Sequence, residues 1–334
     1  MVRNKLYICP IYFTASMKKS IYLFVLLALA ACKPHPTYDY KQEMRDFVCH
    51  LSAWAKTQKP SFLVIPQNGI ELVTLDGTAT GLPATSYLNA IDGHGQEDLF
   101  YGYDADNEST PAEVSDYLMP FLTLSKAADN VILTTDYCFS ESKMSDSYTR
   151  NANHHFLSFA APERGLDVIP NYPIYNENKD TIRSLQDAKN FLYLINPEKF
   201  TSKQAFIEAV CATNYDALIM DLFFQDESVF TASEIAQLRI KANGGRRLVI
   251  AYMSIGEAEN YRYYWKSSWN LIKPQWLDAE NPDWKGNYKV KYWDKEWQSL
   301  IFGTPDSYLQ KIVTADFDGV YLDIIDAFEY YENH

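Results

Sequence analysis

The chain has 334 residues, 47% of them hydrophobic and 15% aromatic, with 43 acidic against 30 basic side chains and a formal charge of -13. That composition can bury a substantial core, and an acidic surface repels nucleic acid and anionic polymers while favouring neutral or cationic partners.

In chain order, Lys18 and Lys19 precede an apolar stretch, residues 21–31, too short to span a bilayer. Leu29-Ala30-Ala31-Cys32 carries the small-residue pattern of a bacterial lipoprotein cleavage site. Residues 1–31 read as a signal peptide with Met17 as the natural start, and Cys32 as the lipidated first residue; an ordinary secretory signal with an incidental cysteine is the alternative. Residues 32–40 form a Pro-rich tether, and 41–334 one domain of a size ordinary for an α/β barrel. Loss of Arg3, Lys5, Lys18 and Lys19 with no acid moves the charge from -13 to -17. The expected location is the bacterial cell envelope. Lys33 gives no inner-membrane retention signal, so the lipid is assigned to the outer membrane, with the folded part in the periplasm or at the cell surface. Cys49, Cys138 and Cys211 are odd in number and widely spaced, which suits buried small hydrophobes better than a disulfide framework or a zinc site.

Eight strand-like runs follow, at 62–65, 87–91, 131–135, 156–160, 191–195, 217–220, 248–253 and 319–322. Helix signatures lie between most of them. Residues 110–113, 201–204 and 231–234 read as capping boxes, and Gly244 as the close of the third of these helices. Eight strands alternating with helices predict an α/β fold, a (β/α)8 TIM barrel. The competing doubly wound sheet lacks a Gly-rich nucleotide turn after an early strand. A helix-like segment, 42–56, precedes the first strand, while the last strand has only a short tail. The first segment can supply the missing last helix, as in a circularly permuted barrel, with residues 171–179 as the splice.

Three of the runs end in acids: residues 217–221, 248–259 and 318–326. Acids just past the apolar residues of parallel strands sit where α/β folds build their active sites. The segments Tyr252-Met253-Ser254-Ile255-Gly256-Glu257-Ala258-Glu259, Asn281-Pro282, Trp284-Lys285-Gly286-Asn287-Tyr288, Lys291-Tyr292-Trp293-Asp294 and Asp318-Gly319-Val320-Tyr321-Leu322-Asp323 resemble the bacterial branch of the endo-α-1,4-polygalactosaminidase glycoside hydrolases. So do Pro66-Gln67-Asn68-Gly69, Gln96-Glu97-Asp98-Leu99-Phe100-Tyr101, Thr134-Thr135-Asp136-Tyr137 and Ala161-Pro162-Glu163-Arg164-Gly165, but with the two halves in exchanged order. The resemblance implies a barrel and a permuted one. It also implies Asp323 as nucleophile or charge stabiliser and a glutamate at a later strand end as general acid. Glu97 is placed ahead of Asp92 for the latter role because it reaches further and is more easily kept protonated.

Asp221, Asp136, Asp326 and Glu257 are candidates for binding sugar hydroxyls or amines, with helix capping or ion pairing as the competing reading of each. Glu259 is expected to pair with Arg262, and Glu163 with Arg164 in an ion pair that stiffens the mouth. Asn68 and Gln67 suit a sugar or a turn, and Tyr252, Trp293 and Tyr137 are flat surfaces beside the acids. His94 is read into a Gly-rich loop, and no His pair has metal-ligand spacing, so neither metal nor cofactor is expected. The implied partner is a polysaccharide or oligosaccharide, a cationic amino sugar among the candidates, with membrane contact through the lipid only, no nucleic acid and a monomeric state. The rival is a non-catalytic carbohydrate-binding barrel. A metal-dependent deacetylase lacks the histidines it would need.

Overall fold

The computed structural model describes residues 38–334, so the expected signal peptide, Cys32 and the tether up to residue 37 lie outside the described residues. Asp39 opens α1 (Tyr40–Gln58) by accepting a hydrogen bond from the Gln42 N–H at 2.9 Å. Met44, Phe47, Val48, Leu51 and Ala55 recur at helical spacing along it and are buried. The strands are β1 (Leu63–Pro66), β2 (Gly93–Glu97), β3 (Val131–Tyr137), β4 (Leu157–Ala161), β5 (Phe191–Tyr193), β6 (Ala217–Asp221), β7 (Leu248–Ser254), β8 (Glu257–Glu259), β9 (Leu277–Glu280), β10 (Asn287–Val290) and β11 (Gly319–Asp323). The other helices are α2 (Thr85–Ala90), α3 (Ala112–Ala127), α4 (Glu141–Asn153), α5 (Lys203–Cys211), α6 (Ala232–Leu238), α7 (Lys295–Ile301), α8 (Tyr308–Thr314) and α9 (Phe328–Glu332).

β1, β11, β7, β6 and β5 form one parallel sheet in that order, and β2, β3 and β4 another; a parallel bridge between Gln67 and Gly95 links β1 to β2. The fold is thus α/β with parallel sheets, whose strands need helical crossovers between them. At the two remaining sheet edges, Phe159 of β4 and Phe191 of β5 approach to 5.7 Å between ring centroids. Strands β8, β10 and β9 form an antiparallel excursion between β7 and α7. Residues 38–334 make one compact unit with a continuous apolar core.

Seven of the expected strands coincide with observed ones to within two residues. The run at 87–91 does not: Tyr87 and Leu88 are buried on α2, and the strand lies further on, at Gly93–Glu97. Its sequence, GHGQE, has no aliphatic side chain and therefore no hydrophobic signal. Glycine is needed there, since a Cβ on Gly95 would lie 2.0 Å from the Tyr321 hydroxyl. His94 is consequently buried inside β2 rather than placed in a loop, with Nε2 3.0 Å from the Asn68 carbonyl; burial pushes it down to about 4, so it is neutral. Of the capping boxes, Thr231 with Glu234 is formed, Ser202 caps α5 in place of Thr201, and α3 starts after Pro111 without a side-chain cap. Gly244, at φ 85°, sits in the turn before β7, six residues past the end of α6.

The first helix lies against the last. Lys41 pairs with Glu332 at 2.5 Å and sits over the Phe328 ring, and Tyr40 meets Tyr331 at 5.6 Å. That is the place expected for a helix following β11. The segment expected as a splice is fixed at the opposite end of the sheets. Asp216, just before β6, accepts from Lys241 Nζ, Asn178 Nδ2 and the Lys189 N–H, each at 2.8 Å, and both charged side chains are fully buried. Removing one member of such a pair strands the other. Lys241→Met is predicted to lower the unfolding free energy by about 3–5 kcal/mol in urea titration, with part of the loss recovered when Asp216→Asn is added.

Candidate active site

Because the strands run parallel, their carboxyl ends share one end of the fold, and the residues just past them converge. Asp221 ends β6, Asp323 ends β11 and Glu97 ends β2, while Gln67 and Asn68 follow β1. Ser254 of β7 is level with Asp323, and Tyr252 of β7 is level with Asp221. These ends open on a cavity of about 1000 Å³. One wall of it is the β8–β10 excursion, which contributes Glu257, Asn281, Trp284, Asn287 and Lys289.

Asp323 accepts a hydrogen bond from the Tyr252 hydroxyl at 2.5 Å. Burial pushes its carboxyl up to about 7, the nearby Glu97 charge adds to the rise, and Tyr252 opposes it. Glu97 is held by three donors: Gln67 Nε2 at 2.5 Å, Asn68 Nδ2 at 3.1 Å and the Tyr137 hydroxyl. The orientations of both amides are fixed. The Glu97 N–H donates to Asn68 Oδ1 at 3.1 Å, and Tyr193 donates to Gln67 Oε1 at 2.7 Å, so each NH₂ is left facing the carboxylate. Asn68 reaches this position at φ 59°, a left-handed conformation that asparagine tolerates.

The other acids divide into neutralised and free. Arg262 grips Asp221 with both terminal nitrogens at 3.0 and 2.6 Å and Glu259 through Nε at 2.6 Å. Burial acts to lower the guanidinium, but Asp221 and Glu259 outweigh it and keep it charged. Asp221 itself is raised by burial against Arg262. Glu257, almost fully enclosed, accepts from Lys289 at 2.6 Å, Asn281 at 2.8 Å and Asn287 at 3.3 Å. Asp326, in the turn after β11, also lines the cavity, and burial, then the Asp323 charge, push it up to about 7 while Lys289 opposes.

Asn68, Arg164, Asp221, Tyr252, Glu257, Asp323, Asp326 and Glu97 are therefore brought to one cavity, and four expected site residues are not. Asp92 lies at the opposite end of β2, accepting from the Val64 N–H and pairing with Lys56. Asp136 is enclosed behind β3, its oxygens taken by the Phe100 and Tyr101 N–H groups, Ser147 and Asn151. Trp293 packs with Tyr38, Tyr40 and Tyr331 between α1 and α9. Glu163 turns outward to Lys199 rather than to Arg164, which instead binds Asp98 and Asp106 and stacks at 3.9 Å on Tyr137. Sequence reasoning did not single out Tyr193, Tyr263 and Lys289. Tyr193 sits mid-strand and reads as core, and Lys289 sits on a hairpin of no distinctive pattern.

Glu97→Gln is predicted to bring the Asp323 titration down from about 7 toward the ordinary carboxylate range, and Tyr252→Phe to raise it further. Carboxylate ¹³C chemical shifts followed against pH measure both.

Residues 188–334 match the model of glycoside-hydrolase family GH114. Asp221, Glu257, Asp323 and Asp326 lie inside that stretch, and Glu97 lies outside it. The chain is 37% identical over 182 residues to an uncharacterized protein of Methanocaldococcus jannaschii, covering 53% of this chain and 49% of the relative. It is 38% identical over 130 residues to an uncharacterized protein of Deinococcus radiodurans, 39% of each chain, and 38% identical over 122 residues to one of Thermotoga maritima, 36% of each. The chain thus spans about half the length of the first of these relatives and less of the other two. Over residues 188–334, the stretch that brings Asp221, Glu257, Asp323 and Asp326 to the cavity, the chain is similar to glycoside-hydrolase family GH114.

Proposed function

We propose that this protein is a lipid-anchored glycoside hydrolase that cleaves an α-linked amino-sugar polysaccharide, resembling α-1,4-galactosaminan, with Asp323 and Glu97 as its carboxylate pair. The observation that carries this reading is the convergence of those two acids on one cavity, close enough for the Glu97 charge to raise the Asp323 carboxyl. Glycoside hydrolysis needs one carboxyl to protonate the leaving oxygen and a second to attack or to activate water. Burial and the neighbouring Glu97 charge keep a proton on Asp323 up to about pH 7, so the carboxylate needed at the anomeric carbon forms as pH rises through that value. In this reading Glu97 delivers the proton, Asp323 faces the anomeric carbon, and Tyr252, Gln67, Asn68 and Tyr137 position the two.

The strand order supports a (β/α)8 barrel. Read around the sheets, β5, β6, β7, β11, β1, β2, β3 and β4 make eight parallel strands in cyclic sequence order, with α1 after β11. A barrel whose matched family stretch begins before β5 is consistent with exchanged halves, the permutation read from the motifs. The cavity supports a cationic substrate. Its lining includes eight carboxylates and three cationic side chains; Arg262 and Lys289 are committed to Asp221, Glu259 and Glu257, and Arg164 to acids outside the lining. Ammonium groups on a deacetylated sugar would meet the remaining charge. Lipidation at Cys32, and with it an envelope location, belongs to the same reading.

The test is reducing-end release from partly deacetylated α-1,4-galactosaminan, beside its fully N-acetylated form and a neutral α-glucan. Release is expected from the deacetylated polymer, lowered about 10²–10⁴-fold in kcat by Asp323→Asn and by Glu97→Gln with glycan binding retained. Wild-type rates in Asp323→Asn would remove the catalytic assignment. The pH profile carries a sign as well. Asp323 has to be ionised to act at the anomeric carbon and its carboxyl is pushed up to about 7, so kcat/KM should rise as pH passes through about 7, and Tyr252→Phe should move the rise to higher pH.

A further inference from the structure

We propose that the loop formed by residues 266–275 is a membrane-contact surface that seats Leu271 and Ile272 in the headgroup layer of an anionic lipid bilayer. The two side chains are adjacent and are 90% and 79% exposed. Within residues 266–275 only Trp269 is buried, and it forms the floor beneath the tip by packing edge-on against Trp265 and Trp276. The loop has two cations, Lys266 and Lys273, and no acid, in a chain that carries -13 overall. Both lysines are held beside the tip. Lys266 lies 5.7 Å from the Trp269 ring centre and Lys273 lies 5.5 Å from that of Tyr288, with Lys273 also donating to the Asp278 carbonyl at 2.6 Å. Aliphatic residues at a tip, flanking lysines and aromatic rings beneath them are the composition of segments that lie in the bilayer interface, where lysine heads stay with anionic headgroups.

The position of the loop supplies the second line of argument. Tyr38, the first described residue, packs on Trp293 at 5.0 Å, Trp293 meets Tyr331 at 4.7 Å, and Tyr331 lies near Asp278. Asp278 in turn accepts from Lys273. The chain therefore enters the domain on the face that carries the loop. Cys32 precedes Tyr38 by six residues, a reach of at most about 20 Å even when fully extended. This orientation rests on the lipid-anchor reading above, whereas the contact itself does not require the lipid. With both in place, the hairpin that holds Asn281, Trp284 and Lys289 in the cavity wall stands directly beside the bilayer. The mouth would then sample polymer lying along the membrane surface rather than chains in bulk solution. Among the described residues no helix is long and apolar enough to cross a membrane, so the contact is peripheral.

The test uses residues 38–334, which fold as one unit and carry no lipid. It measures sedimentation with phosphatidylglycerol-containing vesicles and with pure phosphatidylcholine vesicles, together with quenching of tryptophan fluorescence by brominated lipid. Binding is expected to the anionic vesicles, stronger at low salt. It should weaken about tenfold or more in Leu271→Ser/Ile272→Ser and also weaken in Lys266→Gln/Lys273→Gln, with the thermal midpoint unchanged in both. Absence of binding to any vesicle, or binding unaffected by either double substitution, would overturn the proposal. Self-association abolished by the Leu271 and Ile272 changes would overturn it in favour of a second copy on the same face. None of these outcomes depends on whether the cavity hydrolyses a glycan.

Discussion

The constraint on which the site depends is that parallel strands carry their last residues to the same end. Asp221, Asp323 and Glu97 are far apart in sequence, yet each is the terminal residue of its strand, and the register leaves each no other place to go. Three acids delivered to one partly enclosed mouth repel one another and lose hydration, which is costly unless donors or cations are supplied. Much of the local architecture supplies them. Arg262 enters between Asp221 and Glu259, Lys289 reaches Glu257 across the β10–β8 ladder, and two amides with a tyrosine surround Glu97. At Asp323 burial, and then the Glu97 charge, outweigh the Tyr252 hydroxyl that donates to it, which is why its carboxyl rises.

The amides illustrate how rigid this arrangement is. Asn68 could turn either face to Glu97, but the Glu97 N–H captures its oxygen, and the same residue thereby orients its own carboxylate's partner. Gln67 is fixed from the other side by Tyr193, which stands in the interior beside Tyr321 at 5.2 Å between ring centroids. Tyr321 fits only because β2 has glycine at 95. A chain of steric and hydrogen-bonding dependence thus runs from the packed interior to Glu97, the proposed acid. Preorganisation of this kind places donors without reorganisation at the moment of reaction.

How much of this the sequence disclosed follows from which signal each element emits. Seven strands announced themselves through aliphatic runs such as Leu248 to Met253. β2 emits none, because its interior space is filled from neighbouring strands, and the nearest apolar signal comes instead from helical Tyr87 and Leu88. Glu97 is still reached through its motif, while Asp92, the residue directly after the expected run at 87–91, falls at the wrong end of the true strand. Asp136 shows the limit of strand-end reasoning: it belongs to β3, but period two turns alternate side chains to opposite faces, and it faces α4 rather than the cavity. Trp293 is read from its place next to a motif acid and Glu163 from its adjacency to Arg164, and adjacency in sequence carries no information about direction.

The distribution of charge argues for what enters the mouth. If the acids served only to hold the fold, each would be expected to end against a cation, as Asp216 does against Lys241 and Asp221 against Arg262. Asp323 and Asp326 do not. Both are raised by burial, Asp323 further by the Glu97 charge and Asp326 by that of Asp323, and the one cation that opposes the rise at Asp326, Lys289, is already bonded to Glu257. A fold tolerates such strain where an incoming group relieves it, and a ligand bearing positive charge, or one whose transition state develops it, would do so. An oxocarbenium-like transition state beside Asp323 and an ammonium group beside Asp326 would each be stabilised by charge that the resting protein leaves unmatched. The same unmatched charge would weigh against an anionic glycan, so in the proposed reading preference among polymers and catalytic power would arise from a single electrostatic feature.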